Sequence, residues 1–214
     1  MSSDRQSASP TSGADETPVD PGLAELVRLR GAPLLDALEA HSPGSRDHAE
    51  ATGAHTFAAA AEIGLDRAAA ELCREMAKLH DVGMVYVPVS VMQTPFESWG
   101  AAEREVFDAH YEAGARLALG AGIPDDVCGW LLQIRERFDG LGPEGLAGDA
   151  IPVAARLTRA ACAWETLLAS AQSGETLDER RGDAIGRLRG AAGRELDPQI
   201  VDALVTAVAR LGAR

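Results

Sequence analysis

The stretch "AKLHDVGMVYVP", residues 77–88, sets a histidine and an aspartate side by side after an apolar helical run. His80 offers an imidazole nitrogen and Asp81 a carboxylate oxygen, a donor mixture that suits iron, manganese, zinc or a similar divalent ion. Two more histidines stand in helical segments, His48 early in an alanine-rich one and His110 inside a later one. A helical bundle can bring three such positions to one point, and bundle cores hold metal sites in this way. Side chains of helical neighbours diverge by about 100°. His80 and Asp81 can therefore both reach inward only where the helix is ending. Each residue has a plainer alternative. His48 and His110 could be buried or surface histidines. The pair could be a helix-terminal histidine followed by a turn aspartate. His41 and His55 read as non-functional, although His55 follows His48 by seven residues and shares its face.

The elements that must position these groups are helical. "LAELVRLRGAPLLDALEA" is amphipathic with a Gly-Ala-Pro break in its middle. "SRDHAEATGAHTFAAAAEIG" stops at Gly64. "LDRAAAELCREMAKLH" follows, with Asp66 as its cap. "SWGAAEREVFDAHYEAGARLALG" is a long helix, and "PDDVCGWLLQIRERF" opens on a proline near its first turn. "IPVAARLTRAACAWETLLASA", "LDERRGDAIGRLRGAAG" and "DPQIVDALVTAVARLG" complete the chain. Only "VYVPVSVM" carries β-type residues, and Pro88 makes it an extended loop. The expectation is an all-α domain of about eight helices over residues 22–214, with no significant sheet and no internal repeat. Residues 1–21, rich in Ser, Asp, Pro and Thr, read as a disordered tail.

Hydrophobic residues make up 46% of the 214, so a real core is affordable, yet only 4% are aromatic. Such a core is built from Ala, Leu, Val and Ile, which favours close-packed helices. The net charge of −13 repels phosphate backbones, so nucleic acid is not an expected partner. A small phosphorylated ligand held by one local basic pocket remains compatible with that charge. Cys73, Cys128 and Cys162 are far apart and form no CxxC, which reads as reduced thiols of a cytoplasmic protein. No apolar run reaches the roughly 18–20 residues of a membrane span. The N-terminus lacks the apolar core of a signal peptide. No membrane association is expected.

Five stretches read together resemble the HD-GYP family, a branch of the HD superfamily of metal-dependent phosphohydrolases. "HAEATGAHTFAAAAEIGL" resembles its first-histidine helix, with His48 at the ligand position. "LHDVGMVYVP" resembles the signature LHDIGKIGIP, with His80 and Asp81 as the namesake pair. "AEREVFDAHYEAGARLAL" places the next ligand histidine on His110. "RERFDGLGPEGLAGDAIPVAARL" and "GRELDPQIVDAL" resemble the segments that follow, so the resemblance covers about residues 42–210. It implies an HD-domain helical bundle, a cluster of two or three metals, and hydrolysis of cyclic di-GMP. In the chemistry implied, metal ions hold a hydroxide in line with phosphorus and neutralise charge on the phosphate oxygens.

The departures bear on that expectation. Met84 stands at the signature lysine, and the family's paired histidines fall on Ile134 and Arg135. The GYP element has become "GLGP", without its tyrosine. Cys162 stands at an expected aspartate, and "LASAQSG" replaces a basic element. Three imidazoles and one carboxylate remain (His48, His80, Asp81 and His110), enough for one ion completed by water but too few for a cluster. Asp81 is the candidate catalytic carboxylate. Cys162 could add a ligand to a soft ion such as zinc, or be a buried small hydrophobe. Glu165, one turn on, could replace the missing carboxylate or be a solvated charge. Arg135 could clamp a phosphate, pair with a retained carboxylate, or face solvent beside Arg137. Two functions follow. One is a phosphodiesterase with a reduced site of one Fe, Mn or Zn ion, acting on cyclic di-GMP or a related nucleotide. The other is an inactive module, with or without metal, that binds a ligand or a protein partner; a structural interaction domain that binds neither metal nor nucleotide is a weaker third alternative. An oligomer through the first helix is a further possibility.

Overall fold

The computed structural model describes residues 19–94, 98–170 and 175–212. Residues 1–18, most of the segment read as a tail, lie outside that range, as does part of "LASAQSG". The end of the expected tail is already structured. Asp20 accepts a hydrogen bond from the Gly22 amide at 2.8 Å, and Pro21 opens α1 (Pro21–His41). The Gly-Ala-Pro break expected inside this helix does not occur, because α1 runs on through Pro33. Val27 before the proline and Leu35 and Leu38 after it are all buried, so core packing on both sides outweighs the lost backbone bond.

α2 (Ser45–Glu62) packs a face of Ala49, Thr52, Gly53, Thr56, Ala59 and Ala60 on its neighbours. These small side chains let α3, α7 and α9 all press against it. The chain turns out of α2 at Gly64, two residues past its end, whose φ of +88° is the left-handed turn that glycine supplies. The Asp66 side chain then caps α3 (Arg67–Lys78) by accepting from the Ala69 amide at 2.8 Å.

The segment expected to be an extended loop is helical instead. A 3₁₀ turn spans Val82–Tyr86, and a short α4 covers Val89–Met92. Val82 and Val87 are buried, so the β-type residues serve as core anchors of tight turns and override their local preference. The long helices are completed by α5 (Ala101–Gly120), α6 (Asp125–Gln133), α7 (Val153–Ala169), α8 (Leu177–Ala191) and α9 (Pro198–Gly212). The eight long helices match the sequence expectation, and α4 is additional. No strand occurs among the described residues, only one isolated bridge between Ala192 and Leu196. α6 stops earlier than its pattern suggested, at Gln133, where the chain turns into a loop held by Glu136. The carboxylate of this buried residue accepts from the amides of Glu144 (2.7 Å) and Leu146 (2.9 Å).

The core joins Leu72, Met76 and Leu79 of the α3 end to Leu131, Leu157, Trp164, Leu188 and Leu204. It is mostly aliphatic, as the low aromatic content requires. Among the described residues, no helix is long and apolar enough to cross a membrane.

Candidate metal centre

α3 ends two residues before His80, so His80 and Asp81 sit in the turn that joins it to the 3₁₀ segment. This geometry lets two sequence neighbours face one point. The turn is pressed against α5 at Gly83, where a Cβ would lie 2.6 Å from the Gly114 nitrogen and overlap the His110 carbonyl oxygen. The absent side chain at Gly83 is therefore what brings α5, and with it His110, up to Asp81. φ at Gly83 is not positive, so close approach and not backbone freedom selects glycine here.

The four expected donors converge. His80 Nε2 is 3.2 Å from His48 Nε2 and 3.2 Å from Asp81 Oδ2, and His48 Nε2 is 3.7 Å from the same oxygen. His110 Nε2 lies 3.6 Å from Asp81 Oδ1. His80 and His110 are buried, whereas His48 and Asp81 keep 32% and 29% of their side chains exposed, which leaves the site open on one side. Cys162 joins them from α7, its sulfur within 4.8 Å of donor nitrogens of both His48 and His80.

Backbone contacts fix which nitrogen each ring presents. His80 Nδ1 is 2.8 Å from the Ala77 carbonyl oxygen, and His110 Nδ1 is 2.5 Å from that of Phe107. A carbonyl can only accept, so Nδ1 carries the proton in both rings and Nε2 is left as the ligating atom. This is the tautomer control that metal-binding histidines receive from their surroundings. His110 Nε2 is buried with no hydrogen-bond partner among the described residues. Two nitrogens bound to one ion at ~2.0–2.1 Å and a tetrahedral angle stand about 3.3 Å apart. The His48–His80 spacing of 3.2 Å fits that requirement.

The charges are strongly coupled. Burial works to lower the His80 pKa, but the negative charges of Asp81 and Cys162 outweigh it and hold the ring well above the usual imidazole range. Burial works to raise the Asp81 pKa, and the His80 charge together with the nearby His110 ring keeps it well below the usual carboxylate range. Burial likewise opposes ionisation of Cys162. The His80 charge and hydrogen bonds from His48 and His80 bring its pKa down to about 6. Cys73, buried without such partners, is pushed up to about 12. The contrast comes from the imidazoles that surround Cys162 and that Cys73 lacks.

The remaining candidates lie elsewhere. Glu165 turns to His55, Oε1 to Nδ1 at 2.6 Å, on the same two helices as His48 and Cys162 but one layer along. His55, read from sequence as non-functional, is thus half-buried against a carboxylate. His41 Nε2 contacts the Val87 carbonyl oxygen at 2.9 Å. Arg135 does not reach Asp81. It faces Asp108 at 3.6 Å and covers the Tyr111 ring at 5.2 Å. Ile134 is buried in the core. Two neighbours of the site escaped sequence reasoning. Tyr111 lies against the His110 ring at 3.8 Å, and burial raises its pKa. Arg159 stands one turn before Cys162. Both are adjacent along the chain or the helix to a candidate ligand, and that adjacency was the only available signal.

Comparison with known proteins identifies the family of the chain. The chain matches the HD domain family over residues 34–200. It is 32% identical over 183 residues to the cyclic di-GMP phosphodiesterase response regulator RpfG of Xanthomonas campestris, covering 83% of this chain and 47% of that protein. It is 27% identical over 182 residues to a 3'3'-cGAMP-specific phosphodiesterase of Vibrio cholerae, covering 80% and 33%. The chain therefore spans about half or less of the length of these relatives. Among solved structures, an HDG"Y"P protein from Bdellovibrio bacteriovorus superposes with a TM-score of 0.64 at 20% identity, over 87% of this chain and 61% of that one. The HD domain of the phosphodiesterase PgpH from L. monocytogenes, in complex with cyclic di-AMP, gives 0.61 at 17% identity, over 85% and 98%. At these identities the structural likeness speaks for the fold.

Proposed function

The chain belongs to the HD-domain family, and on that premise we propose that it is a metal-dependent phosphodiesterase of the HD-GYP kind with a reduced, single-ion site. The substrate class is a cyclic dinucleotide, with cyclic di-GMP first among candidates because RpfG, one of its relatives, is named for that activity. The observation that carries the reading is the convergence of His48, His80 and Cys162, whose donor atoms lie within 4.8 Å of one another, with Asp81 Oδ2 3.2 Å from His80 and the His80 tautomer set for ligation.

The residues fit one ion. His48 and His80 would hold it through Nε2 and Asp81 through Oδ2, with Cys162 or His110 completing the set. A thiolate among the donors favours zinc or ferrous iron over magnesium. An ion held there would supply Lewis-acid polarisation of a phosphoryl oxygen and a hydroxide at neutral pH. The chain does the rest. Asp81 stays ionised, and its half-exposed carboxylate accepts a hydrogen bond from a water entering on the open side. His110 Nε2 faces the other carboxylate oxygen at 3.6 Å. Arg135, spread on the Tyr111 ring, keeps a guanidinium at the rim to meet an approaching phosphate. Among the described residues, no second set of donors adjoins the first. Ile134 is apolar and buried, Arg135 is cationic, and Glu165 is engaged with His55.

Elemental mass spectrometry on protein supplied with iron, manganese and zinc tests this, beside a His80→Ala/Asp81→Ala control. The expected result is about one ion per chain, lost in the control, with cyclic di-GMP hydrolysis that the control lacks. No ion above the control would overturn the reading and favour an inactive module that binds a ligand or protein.

A further inference from the structure

A cavity of about 380 Å³ opens beside the donor cluster, between α7 and α8. Cys162 forms part of its wall and is the member of the donor cluster that faces it. Arg159, Tyr111, Thr166 and Arg187 also line it, over an apolar floor that includes Leu167 and Leu188. The size falls in the roughly 300–1,000 Å³ range of small-molecule sites.

Arg159 is the unusual member. Its NH1 donates to the Ile134 carbonyl at 3.0 Å, and its Nε is buried with no hydrogen-bond partner. Among the described residues it makes no ion pair. The acid that shares the cavity wall, Glu195, faces Arg137 at 3.5 Å. Arg187 is exposed and held by Asp183 at 2.8 Å. Burial lowers the Arg159 pKa, and the Tyr111, Glu195 and Cys162 side chains nearby offset that only in part. A desolvated cation without a carboxylate costs stability unless an anion meets it. In a chain of net charge −13 carboxylates are plentiful, yet among the described residues none stands at ion-pair distance from Arg159.

We infer that this cavity is the seat of one phosphodiester group of the substrate, with Arg159 as the residue that binds it and the apolar floor receiving the attached nucleoside. The inference rests on the reading that the substrate is a nucleotide. It adds a phosphate-binding residue distinct from Arg135, which lines a separate cavity on the other side of Tyr111. The wall position of Cys162 would set the bound phosphate next to the ion-holding donors.

Binding is tested without turnover, by isothermal titration of the full chain in EDTA with cyclic di-GMP and, separately, inorganic phosphate. The wild type is expected to bind both, more weakly as salt is raised. Arg159→Met should weaken binding of each by about tenfold or more, and Arg159→Lys by less, because a lysine keeps charge but loses the planar fork. Thr166→Glu, an exposed helical position that sets an acid at the cavity mouth, should weaken binding without touching the buried guanidinium. It decides the matter should Arg159→Met fail to fold. No binding by the wild type, or unchanged binding in the variants that fold, would overturn the inference. Because the protein is metal-free, binding through Arg159 without any hydrolysis in the metal-loaded chain would leave this site standing and sink the enzymatic reading. Hydrolysis with unchanged binding in Arg159→Met would do the reverse.

Discussion

Gly83→Ala probes the contact on which the site depends. A Cβ there would stand 2.6 Å from the Gly114 nitrogen and 2.8 Å from the His110 carbonyl carbon, with ordinary contact beginning at 3.4 Å. Every one of these neighbours is backbone, so no side chain can rotate away. α5 must retreat by about 0.8 Å to clear the Gly114 nitrogen (3.4 less 2.6 Å) and by more to clear the His110 oxygen. Overpacking of this kind costs about 1–3 kcal/mol. At about 2–4 °C per kcal/mol for a chain of this size, Tm should fall by about 2–12 °C. The retreat carries His110 away from Asp81, now 3.6 Å from it, so metal content should fall along with stability. Gly186→Ala in α8 is the control. Nothing lies within 4 Å of a Cβ there, and the change should stabilise by about 0.5–1 kcal/mol. Urea unfolding and zinc content measured on both variants check the argument. A Gly83→Ala protein as stable and as metal-rich as wild type would refute the claim that this contact positions His110.

Three further outcomes are expected. Cys162→Ser should weaken zinc retention by about 10–100-fold or more while manganese retention changes less, as competition with a chromogenic chelator would show; equal losses for both metals would remove the thiolate from the donor set. Metal affinity should rise with pH well past the usual imidazole range, because the proton that Asp81 and Cys162 hold on His80 competes for Nε2. Cys162, at about 6, limits binding only below that pH, so titrations from pH 6 to 9 that show no rise would contradict the assignment. Glu136→Ala should cost about 1.5–3 kcal/mol and expose the loop over residues 137–148 to limited proteolysis, since the amides of Glu144 and Leu146 lose a buried carboxylate.

The sequence by itself determined the helices, their order and most of their ends. Periodicity, the Asp66 cap and the glycine at position 64 are local signals, and the backbone obeyed them. Donor identity was equally legible, because imidazole, carboxylate and thiolate chemistry belongs to the residue and not to the fold. Where tertiary packing competes with local preference, sequence reading failed. Buried neighbours carry α1 through Pro33, and Val82 and Val87 turn a β-like stretch into tight helical turns. Direction was illegible for the same reason. Whether Glu165 serves Cys162's neighbours or His55, and whether Arg135 meets Asp81 or Asp108, depends on distances of a few ångströms between helices far apart in the chain. Only the assembled bundle sets those distances, and so only it gathered His48, His80, Asp81, His110 and Cys162 into one place and left Arg159, among the described residues, without an ion pair beside them.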